Sequence, residues 1–135
     1  MRIPFSGPAV ATAATLVGIA GTVTFMSVEP AAATGDGCHT DGQFRNCVHV
    51  DGSGLHVNWL GGSVFKDNNG AMNGFDIITF SRGITSTIYG PTQTGNGWLG
   101  YEPGGVAGNY PNNTDVCSRY NFTPGNSAAC VTVKN

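Results

Sequence analysis

Beyond residue 33, the apolar residues alternate with polar ones in short runs, each closed by a cluster of Gly, Asn, Asp, Ser or Pro. Period-two patterning marks half-buried β-strands, because successive strand side chains point to opposite faces. It predicts strands over 47–51, 55–60, 75–81, 84–89, 115–122 and 128–133, with shorter pieces at Val64-Phe65 and Trp98-Leu99. No stretch keeps the 3.6-residue apolar period of an amphipathic helix. The expected fold is all-β: a small antiparallel sandwich or Greek-key barrel of about six to eight short strands.

Three hairpins organise that expectation. In "CVHVDGSGLHVNWL" the turn reads as Asp51-Gly52-Ser53-Gly54, since glycine takes the positive φ angles that tight turns need. Val50 should then face Leu55, His49 should face His56, and Val48 should face Val57. In this register Val48, Val50, Leu55, Val57 and Trp59 share a buried face, with His49, His56, Asn58 and Asp51 opposite. The second hairpin turns at Ser81-Arg82-Gly83 and is apolar on both faces, which predicts centrally placed strands. The third turns at Thr123-Pro124-Gly125-Asn126, where Pro followed by Gly specifies a type II turn.

The N-terminus reads as a targeting signal. Arg2 supplies a basic start, Ala9–Val28 carries no charge, and Pro30-Ala31-Ala32-Ala33 offers an A-x-A cleavage pattern. The apolar run approaches the roughly 20 residues of a membrane span, but threonine, glycine and alanine dilute it. The expectation is a cleaved signal peptide over 1–33 and a single secreted β-domain over 34–135, with no membrane insertion after cleavage.

All four cysteines, Cys38, Cys47, Cys117 and Cys130, follow that site. An even count in a small exported chain predicts two disulfides, and the absence of any C-x-x-C pair argues against structural zinc. Three pairings are open. Cys38–Cys47 and Cys117–Cys130 close the shortest loops at the least entropic cost. The third hairpin brings Cys117 toward Cys130, although a strict two-residue turn would pair Cys117 with Thr132, so a bulge or a looser loop is required.

Charge is sparse: six Lys or Arg against eight Asp or Glu, a formal net charge of −2. Nothing basic is clustered, which leaves nucleic acid without an electrostatic footprint. No cofactor is indicated, and a monomer is expected.

Candidate chemistry is thin. A cross-strand His49–His56 pair, with Asp51 on the same face, is a weak metal or hydrolase candidate that lacks a third ligand of proper spacing. Ser53 lies in Gly52-Ser53-Gly54 without the G-x-S-x-G context of a nucleophile elbow. Glu102 is the only glutamate after the leader, so a carboxylate pair for glycoside hydrolysis has few candidates. The expectation is therefore not an enzyme. The long glycine-rich segment 90–113 holds Trp98, Tyr101 and Tyr110, stiff amphipathic rings suited to binding.

An Ala/Thr-rich leader, about a hundred further residues and two local disulfides in an all-β chain together form a layout that resembles small exported proteins of actinobacteria. Some of these inhibit extracellular proteases or amylases. The resemblance implies a sandwich or crystallin-like fold; the Trp-Arg-Tyr triplet through which the amylase inhibitors bind is absent here. The leading expectation is a secreted non-enzymatic binding protein, an inhibitor or antagonist of an extracellular enzyme. The alternative is a carbohydrate- or cell-wall-binding module using the same aromatics. The partner is thus an extracellular protein or a polysaccharide.

Overall fold

The computed structural model describes residues 33–135; the predicted leader up to residue 32 lies outside the described residues. Eleven strands follow one another: β1 Gly35–Asp41, β2 Phe44–Ser53, β3 His56–Lys66, β4 Ala71–Gly74, β5 Asp76–Ser81, β6 Thr85–Tyr89, β7 Gln93–Asn96, β8 Trp98–Tyr101, β9 Gly108–Asn109, β10 Thr114–Tyr120 and β11 Ala129–Val133. The all-β expectation holds. The strand count exceeds six to eight for two reasons. The Gly35-Asp36-Gly37 stretch of β1 has turn composition, and β4, β7 and β9 span only four, four and two residues.

Two antiparallel sheets face each other. One has the order β1-β2-β3-β8, with β9 also pairing β3; the other has the order β11-β10-β5-β6, and β4 and β7 form a separate ribbon. Between the sheets, Val48, Val50, Val57 and Leu60 pack against Ile78, Phe80, Val116, Ala129 and Val133. A smaller cluster gathers Val64, Met72, Leu99 and Tyr120. Ala33, the last residue of the predicted leader, is also buried in the main core. Among the described residues no helix is long and apolar enough to cross a membrane.

Both short-loop disulfides form. Cys38 lies directly opposite Cys47, and Cys117 directly opposite Cys130. These bonds mark an oxidising compartment. The strands that carry them, β1 and β11, also pack on each other across the sandwich, and a side chain at Gly37 would strike the Cys130 carbonyl.

Three local expectations are corrected. The first hairpin turns at Gly54-Leu55, so Ser53 pairs with His56 and Gly52 with Val57. A bulge follows: Asp51 pairs with Trp59, which makes Asn58 the extra residue, and Asn58 Nδ2 donates to Asp51 Oδ2 at 3.1 Å. His49 therefore faces Gly61, not His56. Because a bulge reverses the alternation, Trp59 leaves the core face and fully buried Leu60 replaces it. In the second hairpin β5 is internal, as expected, but β6 is an edge strand with Tyr89 exposed. In the third, Gly125 takes no positive φ. Gly125–Ser127 wind instead as a 3₁₀ turn after Pro124, and this longer connection lets Cys117 reach Cys130 rather than Thr132.

Candidate ligand-binding groove

Beyond the bulge, β3 directs Trp59, Gly61, Ser63 and Phe65 to the outer face of its sheet. Register then sets their neighbours. On β2, His49 lies beside Gly61 and Cys47 beside Ser63; on β8, Gly100 lies beside Ser63 and Trp98 beside Phe65. Glycine at 61 and 100 leaves a depression in the middle of this face. Its volume is about 400 Å³, and Trp59, Phe65, Trp98, His49, Tyr101 and Glu102 rise around it. Trp59, Phe65 and Trp98 are 42%, 41% and 54% exposed, so three of the chain's large exposed apolar side chains border one groove.

Each wall is braced from beneath. The Trp98 indole lies over Gly100, where an added Cβ would come within 2.5 Å of Cζ2; Glu102 lies across Gly61 in the same way, its Cγ 2.9 Å from such a Cβ. Gln93 Nε2 donates to the Gly100 carbonyl at 2.7 Å, while Gln93 Oε1 accepts from the buried Tyr120 hydroxyl at 2.9 Å. One glutamine thereby ties the groove floor to the core.

The polar side of the groove centres on His49. Its Nδ1 lies 2.7 Å from Asp36 Oδ1 on β1, directly across from it in register. An ionised carboxylate only accepts, so Nδ1 carries the proton and Nε2 presents a lone pair. Ser63 Oγ sits 3.5 Å from Nε2, a long contact that leaves the lone pair available. Carboxylate, imidazole and hydroxyl in this order are the parts of a nucleophile relay. At Ser63, however, β3 is paired on both sides, by Cys47 and Gly100, which commits the local main-chain N–H groups to the ladders. The pair of free donors that would stabilise an oxyanion is missing at that residue.

Behind the floor lies Asp76, fully buried between the sheets. A side chain at Gly62 would collide with its Oδ2 and with Ser118 Oγ. Desolvation raises the Asp76 carboxyl from 3.8 to about 6, against the opposing hydrogen bonds from Ser118 and the Ile77 amide. Burial, and secondarily the Asp76 charge, also pushes the Tyr120 hydroxyl up.

The residues singled out in the sequence divide. Trp98 and Tyr101 line the groove. Tyr110 does not join them: it is 2% exposed, donates to the Val106 carbonyl at 2.8 Å and packs against Phe80, with the Arg82 guanidinium 5.2 Å from its ring centroid. His56 Nδ1 lies 2.9 Å from Asn109 Oδ1, away from His49, and Asp51 is engaged by Asn58. Among the described residues no group of three or more His, Cys, Asp or Glu is placed to hold a metal ion. The sequence reading puts Trp59 on the buried face and Phe65 in a short strand, and gives neither of them, nor Ser63 or Asp36, a place in a site. The one signal for Trp59 is its place as an aromatic ending an otherwise regular alternation.

Fold and site together define a small disulfide-stapled β-sandwich with an aromatic-walled groove on one outer face. Compared with models of protein families, with curated proteins and with solved structures, the chain matches none.

Proposed function

We propose that this chain is a secreted, non-enzymatic binding protein that holds an extended saccharide in the groove over β3. The observation that carries this reading is the convergence of exposed Trp59, Phe65 and Trp98 around a glycine floor edged by His49, Ser63 and Glu102. A sugar ring has apolar C–H faces and a polar rim. Flat aromatic rings pack against the former, and a few fixed polar groups orient the latter. From Trp59 to Phe65 the groove follows the strand for about 20 Å at roughly 3.3 Å per residue, a length suited to several linked rings. Two disulfides suit an extracellular site of action. The test is retention on insoluble polysaccharides. Wild type should be retained, and Trp59→Ala and Trp98→Ala should each weaken retention at least tenfold without loss of fold; unchanged binding by both variants overturns the reading.

A protein partner, such as an extracellular enzyme inhibited by this chain, has separate support in β6. This edge strand has no charged residue or proline in Thr85–Tyr89; Ile84 just before it and Tyr89 at its end are exposed, at 77% and 67%. Such an edge accepts an added strand. Inhibition of a protease or amylase panel that is lost in Thr87→Pro would favour this reading over the groove.

A further inference from the structure

We infer that the groove selects saccharides bearing primary ammonium groups, as in glucosamine polymers, over neutral and acidic ones. This inference rests on the saccharide reading above and is carried by the groove's polar chemistry, which is almost entirely accepting.

Glu102 is the one lining side chain with a fixed formal charge; no Lys or Arg lines the groove. Among the described residues Glu102 has no Lys, Arg or His within salt-bridge distance; the carboxylate that His49 meets is that of Asp36. His49 adds a second acceptor, because Asp36 holds the ring proton at Nδ1 and turns the Nε2 lone pair toward Ser63. Ser63 Oγ, at a 3.5 Å distance that leaves the Nε2 lone pair free, adds a third. His49 on β2 and Glu102, the residue after β8, flank Gly61 from either side of β3. Strands two apart are about 10 Å from each other, so a group seated over Gly61, where no Cβ stands, is within reach of both.

A ligand that fits three acceptors and one negative charge must bring donors and a positive charge. A primary ammonium has three N–H donors and no acceptor. The surrounding rings favour the same choice, because cations are attracted to aromatic faces, most strongly to indole. Acetylating the amine removes the charge and two of the donors. A uronate or sulfate at the same position would place its charge beside Glu102 with no cation to offset it.

The test is calorimetric titration at low ionic strength, where exposed charge pairs are least screened. The probes are glucosamine, N-acetylglucosamine and galacturonate oligomers of equal length, with oligolysine as a fourth, at a pH that keeps the amines protonated. Wild type should bind the glucosamine oligomer at least tenfold more tightly than its acetylated counterpart and should bind the galacturonate oligomer weakest. Glu102→Gln should bring the first two within about threefold of each other, chiefly by weakening binding of the glucosamine oligomer. Equal wild-type binding of the amino and acetylated oligomers overturns the inference and leaves the saccharide reading standing. Tighter binding of oligolysine than of any sugar transfers the groove to a peptide partner and overturns both. Failure to bind any of the sugars also overturns both.

Discussion

Ser118 Oγ donates a 2.7 Å hydrogen bond to Oδ1 of Asp76, and the second oxygen of that carboxyl is buried with no partner. Burial therefore raises its titration point to about 6, from 3.8. Between those two values the folded chain holds a proton that the unfolded chain has released. The contribution of Asp76 to stability thus falls as pH rises through this window and stays constant above it. A shift of this size corresponds to about 3 kcal/mol. Denaturant unfolding at about pH 7.5 and about pH 4.5 should show wild type losing less stability on acidification than Asp76→Asn, which lacks the compensating protonation. At the higher pH the Asn variant should be the more stable. Parallel pH profiles for the two proteins would contradict this.

Gly62 faces that carboxyl across the sandwich, and a methyl there would overlap both Asp76 Oδ2 and Ser118 Oγ. Gly62→Ala is expected to lower the unfolding free energy by about 2–4 kcal/mol, through overpacking and disruption of a buried hydrogen bond. Combining it with Asp76→Ala should recover part of the loss, a non-additivity that a double-mutant cycle reads directly.

Gln93 is the only bridge described above between the groove floor and the Tyr120 hydroxyl. Gln93→Ala leaves that hydroxyl unpaired in a buried position and should cost about 1–3 kcal/mol. Gln93→Glu keeps the acceptor for Tyr120 but cannot donate to the Gly100 carbonyl. It should therefore weaken saccharide retention more than Gln93→Ala does relative to its loss of stability, measured by thermal melting alongside the binding assay.

The disulfides close loops of 9 and 13 residues in sequence separation. In the chain-entropy model loops near this length contribute about 3 kcal/mol each. Replacing either pair by alanine should lower the unfolding free energy by a comparable amount, read as a lower denaturation midpoint, with the Cys117–Cys130 loop having the slightly larger effect. Equal midpoints with and without a pair would refute the estimate.

What the sequence revealed was local. Disulfide partners within one hairpin, the turn positions near Gly83 and Gly54, and the alternation of β5 and β10 all follow from residues close in the chain. Register was not legible in the first hairpin, because "HVNWL" alternates with no visible break and nothing marks Asn58 as the extra residue. That single bulge moved Trp59 from the expected core to the groove. Tyr110 made the opposite move, from expected binding surface to core, since the packing of segment 90–113 against Phe80 and Arg82 depends on contacts distant in sequence. Asn46 is a similar case. It is fully buried, and it bonds the Thr123 hydroxyl, the Ser127 carbonyl and the Tyr120 amide across 74 or more residues. No short-range pattern distinguishes it from a surface asparagine.

Both disulfides lie along the flank where β1 meets β11, whereas β8 and β6 lie at the opposite flank with no covalent restraint. Each bond joins neighbouring strands of one sheet, β1 to β2 and β10 to β11, so covalent restraint is confined to one flank and the two sheets are held to each other by the core. Within the groove, the Trp59 jaw stands on a strand held from both sides, and the Trp98 jaw stands on a four-residue strand backed by β3 alone. The Trp98 ring is thus positioned by one ladder and by its packing over Gly100, remote from either covalent staple.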